Sequence, residues 1–283
     1  MRTRFDIHHP SVPAAHPRCP GVPPGGNAVT KPTTSERDRV PLLCLPFAGG
    51  GANFFRPWNR MGLSGVVATP LQLPGRERLL DAEPYLDVHA AADGLLPAAR
   101  EAAGDGPVAL FGHCFLGAVL AYELTRRLTE TGGTEVVHLF VSAARPPTAG
   151  PVSDVSALTD EAFLAHVEKT TGRRYPAFDV PEVRELLIPT LRADYAMDEG
   201  YRPSGGRPLD VPVTGVYATD DSFVSRAEVA AWQHVTTGDF SLAELPGEHM
   251  YPADDAEPLL ALISQTIAAG RVGSGRGLTH GTA

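Results

Sequence analysis

The sequence predicts an α/β protein: a mostly parallel central sheet flanked by helices, with a helical lid inserted before the last strands. Three observations carry this reading. Short apolar runs alternate with segments of helical period between Val40 and Ser142. A strand, a sharp turn and a helix follow one another without a gap across Pro107–Leu128, with a cysteine at the apex. From about Thr148 to Pro208 the strand signals vanish while helical spacing continues.

The bulk properties set limits. A chain of 283 residues with 43% hydrophobic content suits one large domain, or a domain with an insertion. No apolar run reaches the roughly 18 residues of a membrane span. A net charge of −9 argues against general nucleic-acid binding. The three cysteines, Cys19, Cys44 and Cys114, form neither a disulfide framework nor a zinc-ligand spacing. The N-terminus lacks the apolar core of a secretion signal. The expectation is a cytoplasmic protein with reduced thiols, no metal and no organic cofactor.

Residues 1–38, rich in Pro, Gly and His, show no periodicity and are expected to be a disordered tail. The domain is expected over 39–270, with a lid at about 148–208 and a second disordered tail at 271–283. Pro41–Leu45 reads as a buried strand, and Cys44 within it as a small core residue. The Pro46–Gly51 loop lacks the lysine of a phosphate loop. It reads better as an oxyanion hole, with a plain turn as the alternative. Phe54, Phe55 and Trp58 read as the buried side of a following helix. Val66–Leu73 is a second strand. Val88–Ala103 is a helix in which Pro97 implies a kink or a late start.

Val108–Phe111 is a strand buried on both faces. Gly117, Ala121, Leu124 and Leu128 then recur at helical spacing, with Arg126 and Arg127 turned outward. Val136–Ser142 is another strand. In the lid, Thr159 or Asp160 caps one helix, His166 is a surface or packing residue, and Pro181 opens a second helix. The sheet resumes at Val211–Tyr217. Ser225 and Glu228 form a capping box, Ser241–Leu245 is the last strand, and Asp255 caps the final helix.

The turn at Gly112-His113-Cys114 has the form of a nucleophile elbow, in which a helix N-terminus faces whatever the apex side chain attacks. Cys114, Asp221 and His249 each follow the C-terminal end of a strand, the edge where open α/β sheets build their sites. Their order along the chain is that of α/β-hydrolases. In that arrangement His249 accepts the Cys114 proton and Asp221 orients the imidazole, with Asp220 the adjacent competitor. The backbone N–H groups of Ala48 and Phe115 are the candidate oxyanion hole.

These stretches resemble the type II thioesterases of polyketide and nonribosomal peptide assembly lines. The likeness rests on L-C-L-P-F-A-G-G-G-A-N-F-F-R-P-W, L-P-G-R-E-R, L-F-G-H-C with G-A-V-L-A-Y-E-L, L-R-A-D-Y, and P-G-E-H-M-Y. It implies an α/β-hydrolase fold and hydrolysis of acyl groups from the phosphopantetheine arm of an acyl or peptidyl carrier protein. It carries the nucleophile onto Cys114, the acid onto Asp221 and the histidine onto His249, and makes Leu191–Tyr195 a lid helix lining the acyl channel. The family usually has G-H-S-M-G-A. Here cysteine replaces serine, and Leu116 delays the next glycine by one residue. That insertion predicts a widened elbow or a reshaped first helical turn, with the Phe115 N–H displaced. An acyl-cysteine also keeps the activation of the thioester it came from, which leaves acyl transfer or cyclisation open. An inactive carrier-binding module is the third reading. Arg56, Arg60, Arg76 and Arg78 are candidate carrier contacts or ordinary surface charges.

Overall fold

Strand β3, Val108–His113, is buried along its whole length and has a neighbour on each side, β1 (Val40–Leu45) and β4 (Val136–Ser142). Its uninterrupted apolar run follows from helices covering both faces. The structure is a computed structural model that describes residues 39–150 and 154–275. The N-terminal tail with His8, His9 and Cys19, and residues 276–283, lie outside the described residues.

With β2 (Val66–Pro70), β5 (Val213–Ala218) and β6 (Phe240–Leu245) the sheet has six strands in the order β2-β1-β3-β4-β5-β6. Every pairing is parallel. Alternate residues feed opposite faces, as the two-residue period of a strand requires. Leu43, Leu45, Val108 and Leu110 join the core under α1 (Val88–Ala103) and α2 (Cys114–Thr131). Leu42, Cys44, Ala109 and Phe111 join the other, with Phe55, Trp58 and α6 (Glu257–Gly275).

The chain leaves β1 toward β2 on one side and then crosses to β3 on the other. The order reverses between β1 and β3, so the loops after these strands open a crevice at the sheet's C-terminal edge. That reversal brings the Pro46–Gly51 loop beside Cys114.

Between β4 and β5 lie α3 (Asp160–Thr171) and α4 (Pro181–Gly200), with no strand among the described residues of 148–208. Thr159 caps α3 through the Ala162 N–H, and Pro181 begins α4. After β5, α5 (Arg226–Ala230) carries the expected Ser225–Glu228 capping box. Among the described residues, no helix is long and apolar enough to cross a membrane.

Several expectations need correction. Phe54 and Trp58 lie on two short 3-10 segments, Ala52–Phe54 and Arg56–Arg60, joined at Phe55, and Pro57 lacks the N–H that a continuous α-helix would use. Helix α1 begins at Val88, capped by Asp87, and runs through Pro97 with no late start. Arg126 is buried, not turned outward: it donates to Tyr122 Oη and to the Arg207 carbonyl. Helix α6 continues past 270 to Gly275.

The elbow depends on two glycines. A Cβ on Gly112 would lie 2.1 Å from the Gly117 carbonyl oxygen and 2.7 Å from Ala118 Cα. Backbone blocks it on every side, so no flexible side chain can yield. A Cβ on Gly117 would approach the Leu45 carbonyl oxygen to only 3.1 Å. Gly112→Ala is therefore expected to destabilise the fold by about 3 kcal/mol or more, and Gly117→Ala by less, measured by urea unfolding.

Candidate active site

Cys114 is the first residue of α2 and has φ +59°. A side-chain-bearing residue in the left-handed region is strained and persists only where packing holds it. Here the Gly112–Gly117 crossing forces β3 to turn at once into α2. Of the two residues that align with the nucleophile position, Cys114 occupies the apex. Phe115 is the next residue of the helix and is buried.

The inserted Leu116 does not interrupt the helix. Helix α2 starts directly at Cys114, Leu116 is packed in the core, and Gly117 makes the close approach to Gly112. Phe115 stays in the first turn, where N–H groups have no intrahelical acceptor.

His249 follows β6 and is buried. Its Nδ1 lies 2.9 Å from Asp221 Oδ2. The other oxygen of Asp221 accepts the N–H groups of Phe223 and Val224 at 2.7 and 3.0 Å. Two backbone donors thus fix the carboxylate and leave one oxygen for the imidazole. Asp220 is exposed, and its carboxylate accepts the Gly247 N–H at 3.3 Å. It ties down the turn that delivers His249 and does not reach the ring. Phe223 covers His249 edge-on, with ring centroids 5.5 Å apart.

Burial lowers the His249 pKa, but the negative charge of Cys114 and the hydrogen bond to Asp221 outweigh it and raise it to about 10. Cys114 acts on the imidazole through its charge. The resting alignment nevertheless leaves the buried Nε2 without a well-formed partner. Such contacts commonly tighten only when substrate binds.

Behind His249 lies a second buried histidine, His113, with ring centroids 5.6 Å apart. Its Nδ1 is 3.0 Å from Ser142 Oγ, which is 2.7 Å from Tyr251 Oη. Burial, and then the charge of His249, hold His113 well below its usual pKa and so neutral.

The glycine-rich loop makes a tight turn in which the Gly50 N–H donates to the Phe47 carbonyl at 2.8 Å. Gly49, at the third position, has φ +75°, a conformation suited to glycine. Ala48 lines the same cavity as Cys114.

Two cavities meet at Cys114 and share Ala48, Thr170 and Tyr195. One, of ≈ 180 Å³, is apolar and is walled by Phe47, Val167, Phe178, Leu187, Leu191 and Met250. The other, of ≈ 40 Å³, is also lined mostly by apolar surface but carries the polar groups of Arg145, His166, Asp198 and Glu199. Arg145 lies 4.2 Å above the Phe115 ring and 3.3 Å from Asp198. Burial pushes the Asp198 carboxyl up to about 7 although Arg145 opposes the shift. His166 is half-buried and bonds Thr170 Oγ1 at 3.2 Å, so it lines the cavity as well as packing the lid. Among the described residues no cluster of three or more His, Cys, Asp or Glu side chains is arranged to hold a metal.

The thioesterase domain family matches residues 40–267. The chain belongs to the thioesterase family. It is 34% identical over 233 residues to thioesterase PikA5 of Streptomyces venezuelae, covering 82% of each chain. Among solved structures it resembles RedJ, a thioesterase from the prodiginine biosynthetic pathway in Streptomyces coelicolor. That match has 31% identity and a TM-score of 0.72, and covers 84% of this chain and 98% of RedJ. The type II thioesterase BorB, from the borrelidin biosynthetic cluster, matches with 33% identity and a TM-score of 0.72, over 83% of this chain and 93% of BorB. The protein is thus a hydrolase acting on thioesters, on the expected α/β-hydrolase fold.

In this thioesterase the L-P-G-R-E and L-R-A-D-Y segments meet, which sequence reasoning missed. Arg76 is buried, not a surface charge available for docking. It forms a two-pronged ion pair with Asp194 of α4, at 2.6 and 2.8 Å. The signal lay in α4, where Asp194 continues the apolar stripe of Leu187 and Leu191. A carboxylate at such a position needs a buried partner.

The Asp221 geometry separates it from its neighbour. Asp221→Asn is expected to lower kcat for thioester hydrolysis by about 10³–10⁴-fold. Asp220→Asn should retain most of the activity, both measured by release of the free thiol.

Proposed function

We propose that the protein is a type II thioesterase that removes acyl groups from the phosphopantetheine arm of an acyl or peptidyl carrier protein through an acyl-Cys114 intermediate. The observation that carries this reading is Cys114, strained at the elbow apex and in electrostatic contact with the Asp221-bound His249. The pathway context is supported by relatives described as serving antibiotic assembly. Besides BorB and RedJ, these include a gramicidin S biosynthesis protein of Aneurinibacillus migulanus, 29% identical over 218 residues.

The chemistry proceeds in two halves. With the proton held on His249, the Cys114 sulfur attacks the thioester carbonyl. The carbonyl oxygen gains a negative charge opposite the N–H groups of Ala48 and Phe115. The carbon–sulfur bond to pantetheine then breaks, and the departing thiol takes the proton from His249. Acylation removes the negative charge from Cys114, so the support it lent to the imidazolium is lost. The His249 pKa then falls, so the imidazole stays neutral and free to accept a proton when water must be activated. Water adds its oxygen to the acyl carbon, its proton passes through His249 to the sulfur, and the free acid leaves.

A second reading, acyl transfer, is favoured by the paired cavities. An acyl chain in the larger arm leaves the smaller one, with Arg145, Asp198 and Glu199 in its wall, to an amine or alcohol acceptor beside the same sulfur. Both readings share the intermediate and differ in what attacks it.

Intact-mass measurement of a carrier protein loaded with an acyl-pantetheine thioester tests the proposal. Turnover to free acid, abolished in Cys114→Ala, is expected. An adduct on Cys114 released only by added amine or alcohol supports transfer. Loading that persists beside a bound but unmodified enzyme leaves only a carrier-binding module. The pH dependence follows from His249. Its imidazolium is present below about 10 and lost above it, so Cys114 acylation is expected to fall as pH rises through that value. Asp221 helps raise the His249 pKa, so Asp221→Asn shifts the descending limb to lower pH.

A further inference from the structure

The Arg76–Asp194 pair does more than attach the lid. Asp194 Oδ2 accepts the Gly49 N–H at 2.7 Å, and Arg76 Nη1 donates to the Gly50 carbonyl at 2.8 Å. The pair therefore holds both ends of the Gly49–Gly50 segment, one through the Gly49 N–H and the other through the Gly50 carbonyl. One residue earlier stands Ala48, whose N–H forms no hydrogen bond among the described residues. Helix α4 also reaches the L-P-G-R-E loop through Thr190 Oγ1, 2.8 Å from the Gly75 carbonyl. Glu77 of that loop accepts the Asn53 N–H at 2.9 Å, beyond the glycines. The glycine-rich loop is thus held on both sides of its turn.

We propose that Arg76 and Asp194 are positioning residues: the lid helix supplies a carboxylate, neutralised by Arg76, that fixes the glycine-rich loop so that the Ala48 N–H faces the acyl oxygen. This rests on the oxyanion role given to Ala48 above. The physical reason is tolerance. A donor displaced by about 1 Å loses much of its effect on the transition state, and a glycine-rich turn does not hold such a position by itself.

The arrangement is also asymmetric. Asp194 is fully buried and borders the cavity that contains Ala48 and Cys114. Its charge has the same sign as the oxygen that develops during the reaction. Without Arg76 it is an uncompensated buried anion beside that oxygen. Without its charge, as asparagine, it still accepts the Gly49 N–H. Loss of Arg76 therefore does more harm than neutralisation of Asp194.

The test uses the full chain and two reactions of the same sulfur. Alkylation of Cys114 by iodoacetamide needs the nucleophile but no oxyanion hole. Single-turnover acylation by an acyl-pantetheine thioester needs both. Arg76→Met is expected to lower acylation by about 10²–10³-fold, the scale of a lost oxyanion donor. Asp194→Asn should lower it less, and the double variant Arg76→Met/Asp194→Asn should recover part of the loss of Arg76→Met. Alkylation should stay within about twofold throughout, and KM should change far less than kcat. Parallel falls in alkylation and acylation would show a general structural role and overturn the proposal, as would unchanged acylation in Arg76→Met. Asp194→Asn, nearly isosteric, keeps the test informative if Arg76→Met does not fold. A wild-type protein that is alkylated at Cys114 but never acylated would instead defeat the proposed function, and the positioning role with it.

Discussion

The approach of Gly112 to the backbone of Gly117 and Ala118 governs the rest of the structure. It lets α2 begin where β3 ends, and that forces Cys114 into the left-handed region at the apex. A wider crossing would let the chain relax into an ordinary loop. The sulfur would drop toward the sheet, and the helix N-terminus would no longer face the crevice. The unusual spacing of this elbow is absorbed at the same contact. Helical geometry puts position 117 close enough to Gly112 to serve where position 116 usually does, and Leu116 turns into the core.

Two buried carboxylates then organise the two halves of the site, each by a different means. Asp221 is held by two backbone N–H groups and spends its remaining oxygen on His249. Asp194 is held by a guanidinium and spends its remaining capacity on a backbone N–H of the glycine-rich loop. The first arrangement leaves one carboxylate oxygen for the buried imidazole. The second cancels its charge locally, which suits a group that only positions. Between them the cavity divides into two arms at Cys114, the larger walled by apolar side chains and the smaller carrying Arg145, Asp198 and Glu199.

Much of the fold was legible because its signals are local. Apolar runs, Ser225 as a cap and Pro181 at a helix start depend on neighbours in sequence. The choice of Asp221 over Asp220 rested on one residue of spacing, and the hydrogen bonds now distinguish the two: one reaches the imidazole and the other holds the turn before it. Where local patterning misled, a distant partner was the cause. Arg126 reads as an outward charge until Tyr122 and the Arg207 carbonyl enclose it. Arg76 reads as a surface charge until Asp194, 118 positions away, buries it.

The sequence by itself determined the strand and helix order, the elbow and the placing of Cys114, Asp221 and His249 after strand ends. Each is written in short-range pattern, in the period of apolar residues and in the placing of glycine. Only the tertiary structure decided which charges are neutralised, where the cavity divides and what holds the glycine-rich loop. Those outcomes depend on contacts between segments far apart in the chain, and the free energy of a buried charge depends on what finally surrounds it.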